Sequence, residues 1–158
     1  MAEDEFVLVR QHLEEALKLT AEWVSDHDLH VMLADAAAQQ RDEDALRQYA
    51  PLAEEAAARY DHKLYQAIAH RAWGVAHRLA GEYAESEARF NQALASFDTL
   101  DTRWQIGRTL FELGELARAR TDSVAARDYF SKALTEFEKL GATPDVTRAR
   151  VALEALQG

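Results

Sequence analysis

Cysteine is absent from this 158-residue sequence, which excludes disulfides, thiol catalysis and thiolate metal sites. Glycine and proline are scarce, with six and two residues, and this scarcity disfavours a sheet with many turns and favours helix. No apolar run approaches the roughly 18 residues that span a bilayer, and the acidic start MAEDEFVLVRQ is unlike a signal peptide. We therefore expect a soluble, cytoplasmic, helical protein with no membrane partner.

Positive charge is also in short supply. The net charge is −10, and residues 1–60, with 14 acidic and five basic side chains, carry −9 of it. Residues 61–158 are almost balanced, at −1. Because binding to phosphate backbones needs a basic face, this balance argues against a nucleic-acid partner. The simplest interpretation of the acidic first third is a solvated surface that keeps the protein soluble.

A 40-residue repeat runs through the chain, in the segments 33–57, 73–97 and 113–137. Gly74 matches Gly114 and Phe90 matches Phe130 at this offset, without a gap. Each unit reads as two helices, since apolar and small residues recur at three- and four-residue steps on either side of a short polar turn. A single helical hairpin of this kind cannot cover its own apolar face, so the repeat predicts a solenoid in which neighbouring hairpins stack.

The predicted helices are 4–24, 27–40, 43–59, 62–80, 83–99, 102–119, 123–140 and 145–157. Pro51 lies inside the third of them and predicts a kink there. The last helix begins at the phase of a fourth repeat, and we expect it to close one end of the stack. The helix 4–24 is expected to close the other end.

The repeat resembles the tetratricopeptide (TPR) family. In the middle unit the residues that carry the resemblance are His70, Trp73, Gly74, His77, Ser86, Phe90 and Ala93. The resemblance implies an all-α fold, a right-handed α-solenoid of three TPR-like helix pairs with flanking N- and C-terminal helices, in one domain over 1–158. Its parts are the capping helix 4–24, the repeats 27–66, 67–106 and 107–146, and the capping helix 145–157. The usual TPR unit has 34 residues, and the 40-residue units here resemble the long ones of bacterial signalling and regulatory proteins.

The resemblance also implies a binding groove on the concave side, lined by the first helix of each pair. Mapped onto this sequence, the groove residues are Leu64, Ile68, Arg71, Val75, Arg78, Trp104, Arg108, Phe111, Glu115 and Arg118. Five of them, from Trp104 to Arg118, step by four and three residues and so form one stripe of a helix. Arginines bind carboxylates bidentately and aromatic rings supply apolar area, which suits a protein or peptide with acidic and apolar side chains.

Two alternatives to a free groove stay open. Trp104 and Phe111 could be covered by another helix of the same chain, with the arginines paired to nearby Glu and Asp side chains. The acidic first third could also dock on the basic groove of a second copy and form a homo-oligomer.

The segment HRAWGVAH places His70 and His77 on one helix face beside Trp73. We interpret these histidines as packing residues that hydrogen-bond within the hairpin, since no third metal ligand or catalytic partner stands at the same phase. The segment DHDLH at 26–30 is the other cluster of ligating residue types, and helix capping explains it more simply than a cation site.

We therefore predict a non-catalytic protein–protein interaction module, with no cofactor, no metal and no catalytic residue. The alternative is a ligand- or peptide-sensing TPR fragment of a larger bacterial transcriptional or signalling regulator.

Overall fold

The computed structural model describes residues 2–19 and 26–156, and all the regular elements in these ranges are α-helices. They are α1 (Ala2–Leu19), α2 (Asp26–Gln40), α3 (Glu43–Arg59), α4 (Lys63–Leu79), α5 (Tyr83–Thr99), α6 (Arg103–Ala119), α7 (Ser123–Leu140) and α8 (Thr143–Glu154). The predicted all-α fold is confirmed, and the predicted ends of α2 to α7 lie within one residue of those observed. Residues 20–24 of the first predicted helix lie outside the described residues. Helix α3 stays a single helix through Pro51.

The helices pack as consecutive hairpins, α2 with α3, α4 with α5 and α6 with α7, while α1 packs on α2 and α8 on α7. The first helices also form a layer of their own, because α4 packs against both α2 and α6. The predicted repeat boundaries at 66/67 and 106/107 fall inside α4 and α6 and are corrected here. Each hairpin begins about four residues earlier, because the chain turns at the end of the preceding helix.

The turns follow a 20-residue period. The residues with positive φ, one in each turn, are Arg41, Asp61, Gly81, Asp101, Thr121 and Gly141. Their φ angles lie between 48° and 78°, the left-handed conformation with which helices commonly end. Because one such residue stops a helix every 20 positions, the 40-residue repeat is a pair of helices of nearly equal length.

Thr121 is the most strained of these turn residues, since a β-branched side chain rarely adopts its φ of 60°. We expect Thr121→Gly to raise the free energy of unfolding by about 0.5–1 kcal/mol, because glycine adopts this conformation without steric cost. The matched change Gly81→Ala, at φ 78° in the equivalent turn, should lower it. Urea unfolding of both variants measures these effects, and equal effects of one sign would contradict the explanation.

Helix pairs come close where glycine meets phenylalanine. Phe90 of α5 is fully buried, and a methyl group added to Gly74 of α4 would lie 2.5 Å from its ring. The third hairpin repeats this contact, with 2.6 Å between a methyl group on Gly114 and the ring of Phe130. Such distances are shorter than any real packing contact, so the phenylalanine fits only where the facing residue is glycine.

The first hairpin uses a different pair of residues at the same two positions. Ala34 stands where Gly74 and Gly114 would be, and Ala50 stands in place of the phenylalanine. Both alanines are fully buried. The smaller residue on α3 therefore accompanies a larger one on α2, as constant packing volume requires.

Helix α8 ends the row of hairpins with a polar side. It follows α6 by 40 residues, but the positions of Leu110 and Gly114, which pack toward α7, are taken by Arg150 and Glu154. Both of these side chains are exposed. The C-terminal helix therefore offers no apolar strip for a further helix at these positions, which agrees with the capping role expected for it. Among residues 2–19 and 26–156, none of the helices has the length and apolarity to cross a membrane.

Candidate functional site

The ten residues predicted to line the groove all lie on α4 and α6, but most of them are covered. Six are buried: Ile68, Arg71, Val75, Arg108, Phe111 and Glu115. Leu64 and Arg78 are partly buried, and Trp104 and Arg118 are exposed. The surface that α2, α4, α6 and α8 form around these residues is called the first-helix face below.

Asp35 of α2 is the centre of the first ion-pair group on this face. One of its carboxylate oxygens accepts from Nη2 of Arg71 at 2.9 Å and from Nη2 of Arg108 at 3.0 Å, and the other accepts from Nη1 of Arg108 at 3.1 Å. These pairs join the first hairpin to the second and third. Arg71 also donates to Oε1 of Gln105 at 2.6 Å, so its guanidinium is well satisfied inside the protein.

Burial and charge act on this group in opposite directions. Burial by itself would raise the pKa of Asp35, but the positive charges of Arg108 and Arg71 hold that pKa well below its usual value. Burial lowers the pKa of Arg71 to about 10, helped by the charge of Arg108 and opposed by that of Asp35. All three groups are therefore charged at neutral pH.

Glu112 of α6 is the centre of a second group. It accepts from Nη1 of Arg41, in the turn after α2, at 2.7 Å and from Nη2 of Arg78 at 3.2 Å. Burial would raise the pKa of Glu112, but the charges of Arg41 and Arg78 lower it. Next to this group, Arg118 donates to Glu115 at 2.7 Å.

The aromatic residues of the predicted stripe contact other helices. The ring of Phe111 lies 5.0 Å from that of Phe130, and the guanidinium of Arg148, on α8, lies 4.4 Å from its centre. Trp104 is exposed, and its indole N–H donates to Asp145 of α8 at 2.8 Å. Of the alternatives that the sequence left open, intrachain pairing of the arginines and covering of Phe111 therefore describe most of this face. The prediction of freely available arginines is corrected for Arg71 and Arg108, because Asp35 binds both.

A small cavity lies between the two ion-pair groups. Its volume is about 10 Å³, which is room for a single water molecule. The residues that line it are Ala38, Gln39, Arg71, Val75, Arg108, Glu112 and Arg148. Most of these side chains are polar, and the centre of the first-helix face is therefore closely packed with hydrogen-bonding groups.

Several residues of this face were not among those predicted from the sequence. They are Arg41, Glu112, Asp145 and Arg148, and Asp35 was not identified as the partner of two arginines. Arg148 could have been found from the repeat, because it follows Arg108 by 40 residues, just as Arg118 follows Arg78. Asp35 and Glu112 have no acidic equivalents in the other units, so the period carries no information about them.

The two histidines of the segment HRAWGVAH hydrogen-bond to separate partners. Nδ1 of His70 lies 2.8 Å from Nη1 of Arg89, which can only donate, so His70 accepts this bond in its neutral form. Nδ1 of His77 lies 2.6 Å from Glu82, and its ring stacks on Trp73 at 5.4 Å. The structure therefore supports the interpretation of both as packing residues.

His70 should make stability depend on pH. Burial and the charge of Arg89 lower its pKa below 6.5, against a smaller opposite effect of Glu54. The unfolded chain then binds a proton more readily than the folded one, so stability is full above about pH 6.5 and falls as the pH drops through the folded pKa. Urea unfolding at pH 7.5 and 5.5 should show a larger loss for the native sequence than for His70→Gln, and equal losses would contradict this assignment.

The segment DHDLH lies only partly within the described side chains, which leave out Asp26 and His27. The carboxylate of Asp28 accepts from the hydroxyl of Tyr65 at 2.6 Å, so it ties α2 to α4. Among the described residues, none of the groupings of acidic and histidine side chains has the arrangement that holds a metal ion.

Comparison with known proteins gives a similarity of fold alone. No protein-family model matches the sequence, and no curated protein matches it. Among solved structures, the chain is similar to that of BtubC (BKLC) from P. vanneervenii, with a TM-score of 0.63, and the alignment covers 99% of this chain and 73% of that one. At the 18% sequence identity of this pair, the similarity concerns the path of the helices only.

Proposed function

We propose that this chain is a non-catalytic protein–protein interaction module, a TPR-like right-handed solenoid that binds a partner protein or peptide on the first-helix face. The observation that carries the proposal is the layer of first helices, in which α2, α4 and α6 lie side by side and α8 reaches α6 through Asp145 and Arg148. Side chains from successive repeats therefore meet on one surface, which is how helical-repeat proteins bind extended partners.

The acidic side chains at the centre of this face are suited to structure rather than to proton transfer. A general acid or base works best with a pKa near the operating pH. The arginines lower the pKa of both Asp35 and Glu112 instead. Both carboxylates therefore remain charged acceptors of hydrogen bonds at neutral pH.

The groups available to a partner lie toward the outer part of the face. Trp104 is 43% exposed, and its ring is stacked by the guanidinium of Arg108 at 4.7 Å. Arg118 is also exposed, although it pairs with Glu115. Trp and Arg are the residue types that contribute most to binding at protein interfaces, and together they suit a partner with apolar and acidic side chains.

Variants of the two accessible residues test the proposal. We expect Trp104→Ala with Arg118→Glu to abolish capture of a partner from a lysate of the native host, while the helicity and the melting temperature stay close to those of the native protein. Arg78 is left unchanged because a glutamate there would lie against Glu112. The control is Arg150→Glu, an exposed arginine on another side of α8, which should capture the partner normally. Retained capture by the double variant would contradict the proposed face.

A further inference from the structure

The outer part of the first-helix face exposes its arginines more than its acids. The side chains of Arg41, Arg118 and Arg148 are 30%, 48% and 38% exposed. The carboxylates that pair with them, those of Glu112, Glu115 and Asp145, are 9%, 10% and 19% exposed. A molecule approaching from solvent therefore meets guanidinium groups first, although the protein as a whole is acidic.

The charges on this face do not balance. The arginines are Arg41, Arg71, Arg78, Arg108, Arg118 and Arg148, and the acids are Asp35, Glu112, Glu115 and Asp145. Two positive charges are therefore left without an acidic partner, in a chain whose net charge is −10. A concentration of positive charge against the sign of the whole protein selects for an anion.

Two of these arginines also have unused donors. Nε of Arg78 and Nε of Arg148 are buried and have no hydrogen-bond partner among the described residues. The side chain of Arg78 is only 10% exposed, so its Nε–H is shielded from bulk water. A buried donor without an acceptor is costly, which indicates that an acceptor is supplied from outside the chain.

The guanidinium groups come from different helices and lie close together. Arg41 and Arg78 bind the two oxygens of one carboxylate, that of Glu112. The charges of Glu112 and Arg41 both act on the pKa of Arg148, which places α8 beside this pair. Donors that converge from several directions suit a tetrahedral oxyanion better than a planar carboxylate, and a charge of +2 suits a dianion.

We propose that Arg41, Arg78, Arg118 and Arg148 form a binding site for a doubly charged oxyanion, a phosphate group. As the binding site of a phosphorylated partner, it rests on the proposed function. The binding of the anion itself is a property of the isolated chain and is measured on it. Glu112 and Glu115 hold the arginines in place, and the phosphate oxygens accept from the outward-facing N–H groups.

The test is a titration of the full chain with inorganic phosphate at pH 8 and constant ionic strength, followed by NMR of the arginine Nε–H and the Trp104 indole N–H. Calorimetry with a phosphoserine peptide, and with the same peptide carrying glutamate, distinguishes a free phosphate from a phosphorylated partner and from an acidic one. The variants are Arg118→Gln and Arg148→Gln, and the matched control is Arg150→Gln, which removes the same charge from α8 but not from the site.

We expect saturable shifts at Arg78, Arg148 and Trp104, and binding of phosphate or phosphopeptide weakened roughly tenfold or more by each site variant but unchanged by Arg150→Gln. Shifts that are absent, or that are equal in the site variants and the control, would overturn the site. Binding of the glutamate peptide alone would overturn the dianion and indicate a surface for carboxylates. Failure of phosphate to bind, with capture still lost in the Trp104→Ala, Arg118→Glu variant, would reject this site and leave the proposed function standing.

Discussion

Replacing Asp35 by alanine is expected to lower the free energy of unfolding by about 3–5 kcal/mol, the usual effect of removing one partner from a buried ion pair. The change removes the carboxylate that binds both Arg71 and Arg108, while Arg71 stays almost fully buried. Urea unfolding followed by circular dichroism measures the loss. The control is Glu43→Ala, which removes an exposed carboxylate paired with Arg47 and should cost only about 0.2–0.5 kcal/mol.

A companion variant separates the charge from the packing. Asp35→Leu with Arg71→Met and Arg108→Met removes all three charges while keeping apolar volume, and it should regain most of the stability that Asp35→Ala loses. Recovery would show that the unpaired arginines cause the loss. If Asp35→Ala instead unfolds as easily as Glu43→Ala, the ion-pair group contributes little to the fold.

Phe130→Ala is expected to cost about 3–5 kcal/mol, as a buried aromatic residue does when it leaves a cavity. Phe130 is fully buried, between Gly114 and the ring of Phe111. Thermal or urea unfolding measures the change. The control on the same helix is Val124→Ala, whose side chain is 82% exposed and which should alter stability little.

The glycine that faces Phe130 gives a sharper test of the same contact. Gly→Ala in a helix normally stabilises by about 0.5–1 kcal/mol, but Gly114→Ala should destabilise by about 1–3 kcal/mol because the added methyl group meets the ring. The double variant, Gly114→Ala with Phe130→Ala, should lose less than the sum of the single losses, since it reproduces the alanine pair of the first hairpin. Additive losses would contradict the close contact between these residues.

The hairpins could be predicted from the sequence because their causes are local and repeated. Apolar residues at helical spacing give the helices, and the turn residue that ends each one recurs every 20 positions, as at Gly81 and Asp101. Because this information is present several times, chance variation in one unit does not hide it. The boundaries between repeats were placed about four residues late, since the alignment compares whole units and does not mark where a helix begins.

The candidate site was predicted less well, for a reason that the residues themselves show. The spacing placed Arg71 and Arg108 on the right helices and on one face, but their partner, Asp35, is 36 and 73 residues away in the sequence. The charge of a side chain can be read from the sequence, whereas the neutralisation of that charge depends on which other helix lies opposite. The same limit applies to Arg78, which was expected to bind a partner and is paired with Glu112.

The sequence by itself determined that this chain forms paired helices of nearly constant length, because periodic apolar residues and turn residues act within one or two helical turns of themselves. Only the tertiary structure decided which arginines remain open to solvent. Arg71 and Arg118 occupy first-helix positions that look alike in the sequence, yet one is enclosed by three helices and the other lies at the outer part of the face. Exposure and ion pairing are properties of the space between helices, and the curvature of their packing fixes that space.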